Sequence, residues 1–187
     1  MIEVVDPRLT DLADRLRKEV LDRERRDDEQ RAAQVVPDWV PQVLKALNPS
    51  KRDVPEVLGC TEDEIGEIAA AQAAVLPTYY IDFLRVMGKG AGNLYGGSEW
   101  LYPHLLDVKD YMKEELDRAG SPFELPKGAV VVYSHQGYQF SWMTSTGDRV
   151  DPPVWYWVHA DGRPTTPRWS SWLDFLLDGE QMLYRYP

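Results

Sequence analysis

The sequence predicts an α+β fold: an antiparallel sheet, or as the open alternative a mixed one, laid out as a meander, covered by helices and preceded by a helical N-terminal extension. Three observations predict it. Apolar residues recur at helical spacing over the first part of the chain, short β-branched and aromatic runs separated by glycine turns follow, and a capped helical pattern closes the sequence. Such an order is not the alternation that builds a parallel sheet. Residues 1–58 are expected to form the extension and connector, and 59–187 the α+β domain.

Residues 8–33 read as a helix whose stripe, Leu9, Leu12, Ala13, Leu16, Val20 and Leu21, stops before Asp22–Arg31. Only its first half has a face to bury. Beyond it, charges of both signs at i, i+3 and i+4 spacings describe a solvated helix surface. Pro37, Pro41, Pro49 and Pro55 punctuate Trp39–Leu47, read as a short helix, and Val54–Leu58, read as a turn or helical fragment. Thr61 and Glu64 match a capping box that opens a helix through Ile65, Ile68, Ala69 and Gln72 to the Leu76-Pro77 junction. Pro77 suits the first turn of the next helix, on which Tyr80, Phe83, Leu84 and Met87 keep an i, i+3, i+4, i+7 rhythm, and Gly88 is expected as its left-handed exit.

Asn93–Leu101 is expected as a short strand pair around Gly96-Gly97, and Asp107–Arg118 as an amphipathic helix capped by Asp107 and closed by Gly120. Ala129–Tyr133, Tyr138–Thr144 and Val154–His159 read as three strands, with turns at Gly137 and Gly147-Asp148. Asp161-Gly162 is a further turn before a brief strand near Thr165–Arg168. Ser171 and Asp174 cap a last helix carrying Trp172, Phe175 and Leu176, which Gly179 is expected to end, leaving Leu183–Tyr186 as a tail.

The 187 residues suffice for one domain and an appendage. No apolar stretch approaches the roughly 20 residues that span a bilayer, and no basic-then-apolar leader follows Met1, so a cytoplasmic, non-membrane protein is expected. Net charge is −10; residues 1–34 hold ten acids and eight bases, so most of the excess, 21 acids against 13 bases, belongs to the remainder. That surface repels nucleic-acid backbones and attracts a basic protein partner, although solubility alone would account for the same charge.

Little in the sequence spells chemistry. His104, His135 and His159 are far apart and in no metal-ligand frame, so no metal is assigned, and no cofactor. The lone Cys60 excludes an internal disulfide, and Glu62, Asp63 and Glu64 beside it would raise its thiol pKa. Gly88-Lys89-Gly90-Ala91-Gly92 lacks the Lys-Ser/Thr ending of a phosphate loop, so its glycines read as a chain turn, with an anion site at Lys89 as the lesser alternative. No catalytic residue is assigned.

Several residues together resemble the SUKH superfamily, named for Smi- and Knr-type cell-wall regulators and populated in bacteria by immunity proteins against secreted toxins. The resemblance covers roughly residues 61–180. Its carriers are Leu76-Pro77, the Tyr80-Ile81-Asp82-Phe83-Leu84 helix, and Gly88, Gly90 and Gly92. Leu125-Pro126, Gly137-Tyr138-Gln139-Phe140, Pro153-Val154 and Ser171-Trp172-Leu173-Asp174-Phe175-Leu176 follow in order. Ala69 stands where such proteins often carry an acid, and Ala73 where a glycine is usual. The resemblance implies an α+β binding domain without a catalytic centre, whose bacterial members neutralise a cognate toxin.

Trp100, Tyr102, Tyr138, Trp142, Trp155, Tyr156, Trp157 and Trp169 cluster in the sheet-and-loop region, where alternation places Trp155 and Trp157 on one face and Tyr156 on the other. Core or dimer packing accounts for such rings as well as binding does. The binding alternative selects Glu99, Trp100, Asp107, Tyr138, Trp142, Asp148, Asp151 and Trp155 as an aromatic surface with an acidic rim. The expected function is that of a non-catalytic immunity protein, monomeric or homodimeric, binding a basic protein toxin such as a nuclease, with no nucleic-acid or membrane partner. A regulatory scaffold of the cell-wall regulator type is the alternative, and a small hydrolase the third.

Overall fold

In the computed structural model, which describes residues 6–33, 57–144, 151–159, 164 and 166–185, the elements run α1 (Pro7–Ala33), β1 (Val57–Leu58), α2 (Glu62–Gln72), α3 (Thr78–Met87) and β2 (Gly90–Ala91). A 3-10 turn at His104–Leu106 leads into α4 (Val108–Arg118), the strands β3 (Ala129–His135), β4 (Gln139–Thr144) and β5 (Trp155–Val158), and α5 (Trp172–Arg185). β3, β4 and β5 form an antiparallel sheet in that order; β1 and β2 pair separately. The fold is α+β with an N-terminal helix. The expected Trp39–Leu47 helix and the turns at Gly147-Asp148 and Asp161-Gly162 lie outside the described residues.

Leu9, Leu12, Ala13, Leu16 and Val20 of α1 are buried in the same core as the sheet and α3, as their spacing requires. Leu21 is 63% exposed, which corrects its place in the stripe: a helix turns about 100° per residue, so the neighbour of Val20 leaves the face. Arg15 joins α1 to α5 through both oxygens of Glu180, at 2.6 and 3.0 Å.

The capping box of α2 is closed from both sides, Thr61 N–H to Glu64 Oε2 at 2.8 Å and Glu64 N–H to Thr61 Oγ1 at 3.3 Å. Tyr80, Phe83, Leu84 and Met87 are fully buried along α3. Pro77 is the residue before the helix, and Gly88 is right-handed (φ −69°), which corrects its expected left-handed exit. Closeness explains the glycine: a Cβ there would lie 2.7 Å from both Cys60 Sγ and the Leu84 carbonyl oxygen. Val57–Leu58 is a strand where a turn or helical fragment was expected, because the exit of α3 captures it: Lys89 N–H donates to the Leu58 carbonyl and Cys60 N–H to that of Leu84.

Asn93–Leu101 is also corrected, from a strand pair to consecutive turns with Tyr95 and Gly97 at positive φ, followed by one antiparallel bridge between Glu99 and Ser134. Alternate amides bond locally, Leu94 N–H to Ala91, Gly96 N–H to Asn93 and Ser98 N–H to Tyr95, which winds the segment into turns instead of a strand pair. Asp107 precedes α4 without a side-chain cap: the 3-10 turn leaves it at φ −111°, ψ −15°, not in the extended conformation from which a capping oxygen reaches the first-turn N–H groups. Near residues 165–168 the only described pairing is the bridge Val154–Trp169. Ser171 Oγ accepts Asp174 N–H, as expected, but α5 runs through Gly179 instead of ending there. A Cβ on Gly179 would come within 2.5 Å of the Tyr95 ring, so this glycine admits a ring and stops nothing.

The three strands pair as a meander, Val131 opposite Trp142 and Trp142 opposite Trp155, with a bulge between Val131 and Tyr133. On one face Tyr111 of α4 meets Phe140, Phe140 meets Trp157, and Trp142 stacks on Trp155. On the other, Tyr133 meets Tyr95 and Phe175. Both faces are therefore covered, where one was expected.

Gln72, fully buried, joins α2 to the sheet: its Oε1 accepts Val131 N–H at 3.0 Å and its Nε2 donates to the carbonyls of Val131 and Leu105. Gln72→Ala orphans a buried amide and is expected to cost about 2 to 4 kcal/mol in urea unfolding. Ala73, the next residue, is left-handed at φ 46°. Ala73→Gly relieves its Cβ and is expected to stabilise by about 1 kcal/mol in the same measurement.

Candidate functional site

The residues expected to form an acidic, aromatic surface are distributed by the fold. Trp100 and Trp142 are 2% and 1% exposed, which corrects their expected exposure: Trp100 lies against Phe83 and Tyr95, and Trp142 between Phe123 and Trp155. Neither ring is open to a partner. Glu99 and Asp107 are exposed, Tyr138 is 38% exposed and donates its hydroxyl to Gln136 Oε1, and Trp155 is half-buried against Trp142. Asp148 lies outside the described residues. Tyr138 sits at the β3–β4 turn while Trp142, paired with Trp155, lies four residues further along, roughly 13 Å away, so the aromatic members form no single patch.

Asp151 is structural in its contacts. Its Oδ1 accepts the Trp172 N–H at 2.8 Å and so caps α5. Burial raises its pKa above the ordinary value, against the lowering pull of N–H groups from Trp172 and Leu173 and of Ser171. Glu115, another buried carboxylate, is met by His159 Nδ1 at 2.7 Å and by Arg118. Burial, with Glu64 adding and Lys89 opposing, pushes the Cys60 thiol up to about 11, the opposite of an activated nucleophile. Among the described residues no three histidine, cysteine or acidic side chains gather as metal ligands.

A groove of about 530 Å³ opens elsewhere, between the 93–98 turns, α5 and the sheet face bearing Tyr133, Gln139 and Tyr156. Tyr95, Phe175 and Trp169 form its apolar wall; Trp169 stands edge-on to Phe175 at 4.9 Å and to Tyr156 at 6.1 Å. Arg168 lies over two of these rings, its Cζ 4.6 Å from the Tyr156 centroid and 5.0 Å from that of Trp169. At the other side Ser98 Oγ is 2.9 Å from His135 Nδ1 and 3.1 Å from the Tyr133 hydroxyl. None of the seven described residues among those expected at the site lines this groove. Tyr156 and Trp169 belong to the aromatic set visible in the sequence, and the Arg168-Trp169 pair was the signal for a cation-on-ring contact; Tyr95 and Tyr133 gave none, because only folding brings them together.

Helices flanking a three-stranded antiparallel meander, with an open aromatic groove beside it, define an α+β domain. The profile of the SMI1 / KNR4 family (SUKH-1) matches residues 59–178, and the chain belongs to that family. At the level of the family this supports an immunity-type role with protein partners. No curated protein matches the chain. Among the described residues no helix is long and apolar enough to cross a membrane.

The Asp151 cap has a pH signature. Because its folded pKa is raised, ionisation opposes folding: its contribution is most favourable below the ordinary carboxylate value and is lost as pH rises through the folded one. Asp151→Asn keeps the acceptor oxygen without the charge, so it is expected to melt above the parent at pH 7, with the advantage vanishing in acid. Thermal melts across pH check this, and an advantage that grows in acid would refute it.

Proposed function

We propose that this chain is a non-catalytic immunity protein that binds and neutralises a cognate secreted toxin in the cytoplasm. Family membership across residues 59–178 is the observation that carries the reading. The chain's net charge of −10 favours a basic toxin, a nuclease for example, since opposite charge speeds capture and a tight complex needs no turnover. Exposed Glu99 and Asp107, with Tyr138 and the open edge of Trp155, are the proposed contacts. Trp142 backs Trp155, Trp100 is buried against Phe83 and Tyr95, and Asp151 fixes the start of α5; Asp148 is proposed from the sequence alone.

Coexpression with a toxin encoded beside this chain's gene is expected to restore growth and to yield a stable one-to-one complex. Glu99→Lys with Asp107→Lys is expected to slow association about tenfold at low ionic strength, with the difference shrinking as salt rises. Absence of both rescue and complex would falsify the reading.

A further inference from the structure

We propose that the groove between the 93–98 turns, α5 and the β3–β5 face binds an acidic peptide segment of a partner protein, with a carboxylate on Arg168 and the His135–Ser98–Tyr133 group and an apolar side chain on Trp169. This site is separate from the acidic surface proposed above and does not depend on it.

Charge is the first reason. The chain is strongly acidic, yet the titratable groups lining this groove are Arg23, His135, Arg168 and tyrosines, with no carboxylate among the described lining residues. Carboxylates on the flanking helices are engaged: Asp178 accepts the Trp169 indole N–H at 3.1 Å, Glu180 holds Arg15 with both oxygens, and Glu19 accepts from Asn93. The lining is thus cationic where the chain as a whole is acidic, with Asp178 the nearby carboxylate that no cation pairs in these contacts. A ligand with one or two carboxylates gains locally, whereas a polyphosphate chain meets the repulsion of the whole protein.

Hydrogen-bond direction is the second. Ser98 has one hydroxyl proton and two neighbours, His135 Nδ1 and the Tyr133 hydroxyl. If Ser98 donates to His135, the imidazole carries its proton on Nε2 as an outward donor. If instead His135 donates to Ser98 and Ser98 to Tyr133, the tyrosine proton is the free one. The first arrangement presents Nε2–H as a donor and is the one an anion selects; the second leaves Nε2 as an acceptor and only the Tyr133 proton to give.

Shape is the third. Tyr156 and Trp169 stand at 88° to each other with Arg168 Cζ within 5.0 Å of both ring centroids, so the guanidinium is held in the corner between them, and its fork of N–H donors suits a bidentate carboxylate. Next to it lie the Trp169 ring and Met182, 39% exposed. An open trough of about 530 Å³ with an apolar wall and a cationic point fits two or three side chains of an extended segment.

The test titrates the full chain with fluorescein-labelled heptapeptides, acetylated and amidated at their ends, carrying two glutamates and one phenylalanine or leucine. Matched peptides with lysine for glutamate serve as controls. Saturable binding is expected, with NMR shifts at the Trp169 indole and His135. Arg168→Glu is expected to weaken it about tenfold or more, and Arg168→Lys, which keeps the charge and loses the fork, by less. Met182→Glu, at an exposed rim position, is expected to weaken it too, and melting curves confirm that each variant is folded. The proposal is overturned by any of four results: no saturation up to about 1 mM, lysine peptides binding equally well, no effect of Arg168→Glu, or hexathymidylate or indole-3-acetate binding as tightly as the acidic peptides.

Discussion

Phe83 of α3 lies 5.5 Å from Trp100 and 5.1 Å from Trp172, centroid to centroid; Trp172 lies 4.9 Å from Phe175, and Phe175 lies 4.6 Å from Tyr95. Tyr95 and Phe175 both reach Tyr133 on β3. These rings join the buried faces of α3, the 93–98 turns, α5 and the sheet into one stack, each contact adding about 0.5 to 1.5 kcal/mol beyond its area burial. Much else follows from it. Gly179 is a glycine because the Tyr95 ring rests where its side chain would be, and the Tyr95 hydroxyl donates to the Phe175 carbonyl at 2.6 Å.

The same stack makes the groove. Its wall is the open end of the buried aromatic cluster, where Phe175 passes to Trp169 and Trp169 to Tyr156. A wall anchored in this way moves little, so the groove is pre-formed and a ligand would lose little free energy in shaping it. On the opposite sheet face, Phe140, Trp142 and Trp157 are fully buried near α4 and Phe123, while Trp155 on the same face is half-buried.

Much of the fold was legible because local rules suffice for it. The Thr61–Glu64 box, the rhythm of Tyr80, Phe83, Leu84 and Met87, and the three strand runs each express a period or a cap within a few residues. Trp155 and Trp157 do face away from Tyr156, because pleating fixes alternation whatever the surroundings. The site was much less legible. Counting aromatic and acidic residues cannot tell a ring that stacks in the core, as Trp100 does, from one at a surface, and Asp151 looked like a rim charge while its oxygen caps α5.

By itself, then, the sequence determined the main helices, the three-strand meander, most of the buried helical positions and the family, since these depend on spacings along the chain. Tertiary structure alone decided that Gly88 and Gly179 serve close approach, that Gln72 binds the Val131 backbone, and that Tyr95, Ser98, His135 and Arg168 meet in one groove. The physical reason is distance along the chain: Ser98 and Arg168 share a groove only after the aromatic stack has folded the segments bearing them together.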